Sequence, residues 1–468
     1  MRQFLLILGE AFLLLLTGGV LFILVSRLGG PDLLGEYSLV LAWILLFQGL
    51  AAFGIPDFVT REAGIHGAAS APLVFHGFLI GFATSAAGMA ILLGFTVILD
   101  YAPHITWALR LGTLALVPMM VNGLCRSGFL ARRQMDFVFG VTVVESAIIM
   151  VVSTWCLFHG GGVVPLVATL CGAKLISSVL SLYWFNRYGV PLWQPVDWKL
   201  CRSLFGPILA FGVSNALGML ALRINTIMLS FWAPMSVVGH YAAASKVVDV
   251  ALIVPSLCSQ LVMPRVAYAF AQRQAHELAL FEKAFHAIFA AAVPLGIGIL
   301  FFADIVVAWL FGPSFADAVV PLRILMIYFL IEVAEGLMGM VLKSAHRQNQ
   351  DVRLYAVNPL LNIAVNVIAI PALGSTGAAL AKLAGVIASS TNRYLAISRD
   401  LVPLRWFEFA ARPLMVSVAA GLLLKPFGNV LPDAASIALF AALTVAALTW
   451  TAQFSLTDLN EILSPPTH

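Results

Sequence analysis

The chain has 468 residues, 61% of them hydrophobic and 10% charged. Soluble domains carry about 25% charged residues, so a water-soluble globule is excluded. The net charge of +4 is too small to mark a nucleic-acid binder.

A helix crosses a bilayer with about 20 apolar residues, and runs of that kind recur along the whole chain. The first covers 4–26, begins with a basic residue and lacks a small-residue cleavage site, so it reads as a span rather than a signal peptide. It contains Glu10 and ends at Arg27. Further spans are expected at 37–55, 73–98, 107–124, 137–158 and 163–185; Glu145 falls in the fifth and Lys174 in the sixth. The seventh, 204–232, carries Arg223 and Asn225 within the stretch ALRINTIMLS. Trp232 marks its outer interface, which puts Arg223 about 13 Å deep at the rise of an α-helix.

The eighth span, 237–262, carries Lys246 and Asp249, three positions apart and so on one face. After 284–303 comes a tenth span at 319–342, with Glu332 and Glu335 on one face. The eleventh, 354–371, has Asn358, Asn362 and Asn366 every four residues. The twelfth, 375–397, carries Lys382; spans at 412–427 and 434–454 complete fourteen. Fourteen crossings put both termini on one side. Eighteen of the 26 Lys and Arg fall on that side, among them Arg61, Arg126 and Arg393, while Arg27, Arg110, Arg323 and Lys425 fall opposite. The positive-inside bias makes the termini cytoplasmic.

No connection is long enough for an aqueous domain; the longest are 185–203 and 263–283. There is no GxxxxGK[ST] and no HExxH, which argues against an enzyme, and nothing calls for a metal or a cofactor. Cys125, Cys156, Cys171, Cys201 and Cys258 lie in or beside apolar runs without a CxxC, and read as inert buried thiols.

The chain repeats itself. Gly35-x-Tyr37 matches Gly239-x-Tyr241, and Arg61 matches Arg265 at the same offset. Gly162 with Gly374 and Arg187 with Arg399 share a second, nearly equal offset. A six-span unit used twice keeps its orientation, as in parallel repeats. The expected organisation is a lobe at 1–190, a lobe at 203–400 and two extra helices at 410–456.

The stretches SRLGGPDLLGEYSLV, FGIPDFVTREA, VVGHYAAASKVVD, WLFGPSFADAVVPLRIL and NIAVNVIAIPALGSTGAALA resemble the polysaccharide-export branch of the multidrug/oligosaccharidyl-lipid/polysaccharide exporter superfamily. Its best-known members are O-antigen and related lipid-linked oligosaccharide flippases. The resemblance implies an all-α integral membrane protein, with two six-helix lobes around a central cavity. It implies translocation of an undecaprenyl-diphosphate-linked glycan across the bacterial inner membrane. The partners it brings are that glycan, membrane lipids and a polysaccharide polymerase or ligase complex. The protein is expected to act as a monomer and to bind no nucleic acid. Multidrug extruders share the fold, so an ion-coupled exporter of small amphiphilic cations is the alternative.

These expectations give the intramembrane polar residues two readings each. Arg223 either pairs with a glutamate of another span or meets the cargo diphosphate, which suits a guanidinium fork. Relatives often carry an acid two residues further on; here Asn225 stands there instead. Lys246, Lys174, Lys382 and Arg27 are either structural cations or further cargo contacts. Asn362 and its neighbours either glue helices together or meet sugar hydroxyls. Glu332, Glu335, Asp249, Glu145 and Glu10 are either neutralised by cations, with Arg223 or a lysine expected for the Glu332–Glu335 pair, or couple transport to an ion.

Overall fold

A computed structural model describes residues 2–66, 71–132, 134–188, 195–256, 259, 275–345, 347–401, 406–425 and 433–450. Arg265 of the first repeat match and Cys258 lie outside the described residues. The elements are helical throughout. They are α1 (Arg2–Ala52), α2 (Ile55–His66), α3 (Ala71–Ile98), α4 (Pro103–Thr113), α5 (Leu116–Ala131), α6 (Met135–Phe158), α7 (Val163–Tyr188), α8 (Trp198–Trp232) and α9 (Met235–Ala251). They continue with α10 (Ala275–Phe301), α11 (Ala303–Leu310), a 3₁₀ turn at Pro313–Ala318, α12 (Val319–Ser344), α13 (Gln348–Tyr355), α14 (Val357–Asp400), α15 (Trp406–Leu424) and α16 (Asp433–Trp450).

Two compact units divide the chain, residues 1–239 and 240–468. In the first, α1 packs on α6 and α8, α3 on α5, and α7 on α4, α5 and α6. In the second, α12 packs on α14 and α10, and α15 on α10 and α16. The start of α8 is fixed locally: the Asp197 carboxylate accepts from the backbone N–H groups of Lys199 at 2.8 Å and Leu200 at 3.2 Å, an N-cap. Apolar side chains turn outward, with Val97, Ile98, Val151 and Ile368 largely exposed, while Ser177 and Ser389 are fully buried. That inversion suits lipid outside and close, small-residue helix packing inside.

Two of the helices reverse direction. In α14 the break is Gly374, at φ 55° and ψ −127°, a region open to glycine and closed to most L-residues. Asn358 and Gly385 would lie roughly 40 Å apart along a straight helix. A Cβ on Gly385 would instead meet the Asn358 amide oxygen at 2.6 Å. Residues 357–373 and 375–400 are therefore two antiparallel arms. In α1 the break is Gly30, at φ 72°, followed by Pro31. Arg126 bonds Glu10 while the adjacent Ser127 donates to the Pro56 carbonyl. In a straight helix Glu10 and Pro56 would be on the order of 70 Å apart, so this segment also doubles back.

Among the described residues eight helices are long and apolar enough to cross a membrane, or nine if the α10–α11 pair, bent by 80°, is one span. The fourteen crossings expected from the sequence are not reached by that measure. Two of the eight runs, Leu5–Ala52 and Gln348–Asp400, contain the two hairpins, and Ala410–Leu424 and Ala435–Ala447 are shorter than a full span.

The repeat shows in backbone contact. A Cβ on Gly35 would lie 1.9 Å from the Met235 carbonyl oxygen, and one on Gly239 would lie 2.0 Å from that of Pro31. The contact is reciprocal, with each residue meeting the other's counterpart in the repeat, and only glycine permits so close a crossing. Arg187 and Arg399, the other matched pair, both stand in the last turn of their helices, α7 and α14. Gly35→Ala is expected to lower stability by about 1–3 kcal/mol, the ordinary cost of overpacking, because the obstacle is backbone. Thermal unfolding in detergent checks this against Gly19→Ala, where nothing lies within 4 Å of the new Cβ.

Candidate functional site

Ionisable residues of the first unit gather in two places. Glu10 on α1 is buried and receives the Arg126 guanidinium of α5 in a fork, Nε to Oε1 at 2.8 Å and Nη2 to Oε2 at 3.0 Å. Next to it, Asp57 on α2 accepts from Asn215 on α8 at 2.8 Å. Deeper in the bundle, Lys174 on α7 pairs with the buried Glu145 of α6. Asn122 donates to Ser177 at 2.8 Å beside that pair's helix. Glu10 and Glu145 are neutralised inside the unit. A buried carboxylate without a cation would cost several kcal/mol.

Arg223 is half-buried on α8 and Asn225 almost fully buried beside it. Ser230 lies seven residues on, hence on the same face about 10 Å away. Ser230 joins Tyr101 at 2.8 Å, and Tyr101 accepts from the Trp43 indole N–H at 3.4 Å. Tyr101 sits between α3 and α4, and burial pushes its phenol above the usual range. Arg27 is exposed, three residues before the break at Gly30. Arg61 is exposed and pairs with Glu62 at 2.7 Å.

The second unit holds a buried network. Arg393 reaches Glu335 of α12 at 3.2 Å and Asp351 of α13 at 2.6 Å, and its guanidinium lies over the Tyr355 ring at 5.0 Å. All three charged side chains are at most 7% exposed. Lys343 stands 4.0 Å from Asp351 at the margin. The expected cation for the glutamate pair, Arg223 or a lysine, is thus replaced for Glu335 by an arginine that the sequence placed among the cytoplasmic-side cations. Arg393 lies well inside α14, and the helix continues to Asp400. Lys382, Gly385, Ser389 and Arg393 share one helical face, and all four are buried; hydropathy alone hides that face, and Arg393 escaped the sequence reading. Arg126 escaped the same way, because its partner Glu10 is distant in sequence.

Lys382 is buried with its ammonium 4.7 Å above the Tyr328 ring, a cation–π contact. Glu332, one turn after Tyr328, is half-buried and interacts with both. Asn358, Asn362 and Asn366 are buried inside the hairpin of α14, where Asn366 donates to Asn362 at 2.8 Å and Gly385 presses against Asn358. In this conformation the Asn362 side chain has no exposed surface. Lys246 and Asp249 are half-buried on α9.

A family model described as polysaccharide biosynthesis protein matches residues 4–270. The chain belongs to that family. The match takes in every first-unit residue of the site, together with Lys246 and Asp249, and it bears out the resemblance read from the sequence. A Haloferax volcanii protein described as the probable low-salt glycan biosynthesis flippase Agl15 is 24% identical over 235 residues. That alignment covers 49% of each chain, so this family member spans about half the length of the curated relative it matches.

Among solved structures, the lipid II flippase MurJ in an inward closed conformation aligns with a TM-score of 0.76 at 10% identity, over 96% of this chain and 99% of that one. An inward-facing multidrug resistance transporter of the MATE family aligns at 0.68 and 14% identity, over 81% and 92%. A transporter of the same superfamily from Pyrococcus furiosus aligns at 0.61 and 14%, over 84% and 92%. At these identities the likeness establishes the fold alone, an all-helical bundle, and leaves function and cargo to the chemistry of the site.

Proposed function

We propose that this protein is a transporter, not an enzyme, that flips a lipid-linked oligosaccharide. The cargo is an undecaprenyl-diphosphate-linked glycan carried from the cytoplasmic to the periplasmic leaflet by alternating access, for surface polysaccharides such as O-antigen. The protein sits in a bacterial inner membrane with both termini in the cytoplasm. It acts as a monomer alongside a polysaccharide polymerase or ligase. The observation that carries this reading is the polysaccharide-biosynthesis match over residues 4–270, on a chain whose helix α8 carries Arg223 half-buried nine residues before Trp232. The description of the Haloferax relative as a probable glycan flippase points the same way.

The MATE-type neighbours keep export of small amphiphilic cations as a second reading. A cation exporter wants exposed intramembrane acids. Here Glu10, Glu145 and Glu335 are buried against Arg126, Lys174 and Arg393, which favours the anionic cargo. Deletion of the gene is expected to leave lipid-linked glycan facing the cytoplasm and to remove the surface polymer. Leaflet-specific labelling of the lipid-linked glycan measures this, and intact surface glycan in a strain without a second copy would overturn the reading.

A further inference from the structure

Between the second arm of α1 and α3 the first unit has a groove of about 500 Å³, a size typical of sites that take a ligand chain. Trp43, Phe47 and Phe95 form one end, a triangle of rings with centroids 5.9–6.1 Å apart. Leu50, Ala87 and Ile91 line the rest. The groove is open along its side: Leu50 is 39%, Phe95 40% and Ile91 55% exposed. Its walls belong to runs long and apolar enough to cross a membrane, so its contents are drawn from hydrocarbon.

The aromatic end is tied to the candidate cation. The Trp43 indole donates to Tyr101, Tyr101 donates to Ser230, and Ser230 donates to the Ile227 carbonyl at 2.7 Å. This chain of bonds leads from the ring triangle to the face of α8 that bears Arg223, about 10 Å further in. With Trp232 taken as the interface, Arg223 is expected about 13 Å deep, beyond the phosphate of an ordinary phospholipid, which stays at the interface. A lipid whose diphosphate is held at that depth during translocation must still leave its tail in hydrocarbon beside it. We propose that the groove between α1 and α3 is the docking site for the polyprenyl tail of the diphosphate-linked cargo. The proposal rests on the flippase reading and adds to it where the tail lies while the head crosses.

The test uses the full chain in proteoliposomes of phosphatidylethanolamine and phosphatidylglycerol containing undecaprenyl diphosphate. A photoreactive benzoylphenylalanine replaces Ala87, an exposed position in the groove. A second preparation carries the same group at Val151, an exposed position on α6. After illumination, mass spectrometry is expected to find undecaprenyl diphosphate attached at position 87 and only phospholipid at position 151. Phospholipid alone at position 87 would overturn the proposal. In cells, Ala87→Trp places a large side chain at this exposed groove position and is expected to lower glycan export about tenfold, with Val151→Trp unaffected. Full export by a well-inserted Ala87→Trp protein would also overturn it. The crosslink needs no export activity, so failure of the groove is distinguishable from failure of the flippase reading, which the gene deletion tests. If Ala87→Trp fails to insert, the crosslink decides alone.

Discussion

Arg393→Leu is expected to destabilise the second unit by about 3–5 kcal/mol, the cost of stranding buried charges whose partner is gone. In this unit the stranded charges are two. Glu335 and Asp351 are 1% and 5% exposed and both face the same guanidinium. Lys343 cannot take over, because it stands at 4.0 Å from Asp351 and is half exposed, where an ion pair contributes little. The variant is therefore expected to lose its monodisperse peak in detergent well below the melting temperature of the parent. Combining it with Glu335→Gln and Asp351→Asn removes the stranded charges, and is expected to recover most of the loss. Failure of that triple variant to recover would mean that the stacking of Arg393 over Tyr355, rather than charge, holds α12, α13 and α14 together. The triple variant also separates structure from transport: if it is stable yet exports no glycan, the network acts in the transport cycle as well.

The same triad marks the limit of what the chain discloses unaided. Apolar runs give the helices and their order, because lipid forces every backbone bond inside the segment. The two hairpins were visible as paired spans around Gly30 and Gly374, since a run of that length cannot stay straight in a bilayer. Charges beside a neighbour on the same helix were readable too, as with Glu332 and Glu335. The partner of Glu335 was not, because tertiary packing of α12 on α14 chooses it, and hydropathy sorts Arg393 by position along the chain rather than by the face it occupies. The asparagine stripe was correctly placed on one face. Which way that face points, into the hairpin, followed only from the backbone approach at Gly385. The apolar groove was invisible in sequence for the same reason: it is a gap between helices, and its residues taken singly look like any lipid-facing surface.

Arg223→Lys is expected to reduce glycan export by roughly 10–150-fold, the equivalent of losing one charge-assisted bond of about 1.5–3 kcal/mol, with protein levels in the membrane unchanged. Lysine keeps the charge, so any neighbour that asks only for a cation is still satisfied. It loses the planar fork that meets two phosphate oxygens together. Arg223→Ala is expected to stop export altogether. Quantifying surface glycan against immunoblotted protein reads both variants, and wild-type export by the lysine variant would reduce Arg223 to an ordinary intramembrane ion. The helix explains why the fork matters here. Asn225, two residues away and 1% exposed, brings no second carboxylate to compete for the guanidinium. The acids buried in the first unit, Glu10 and Glu145, are already matched to Arg126 and Lys174. A diphosphate presents two adjacent anionic groups to that fork, and tighter binding of it in one state of the cycle than in the other is the condition under which Arg223 can drive a change of state.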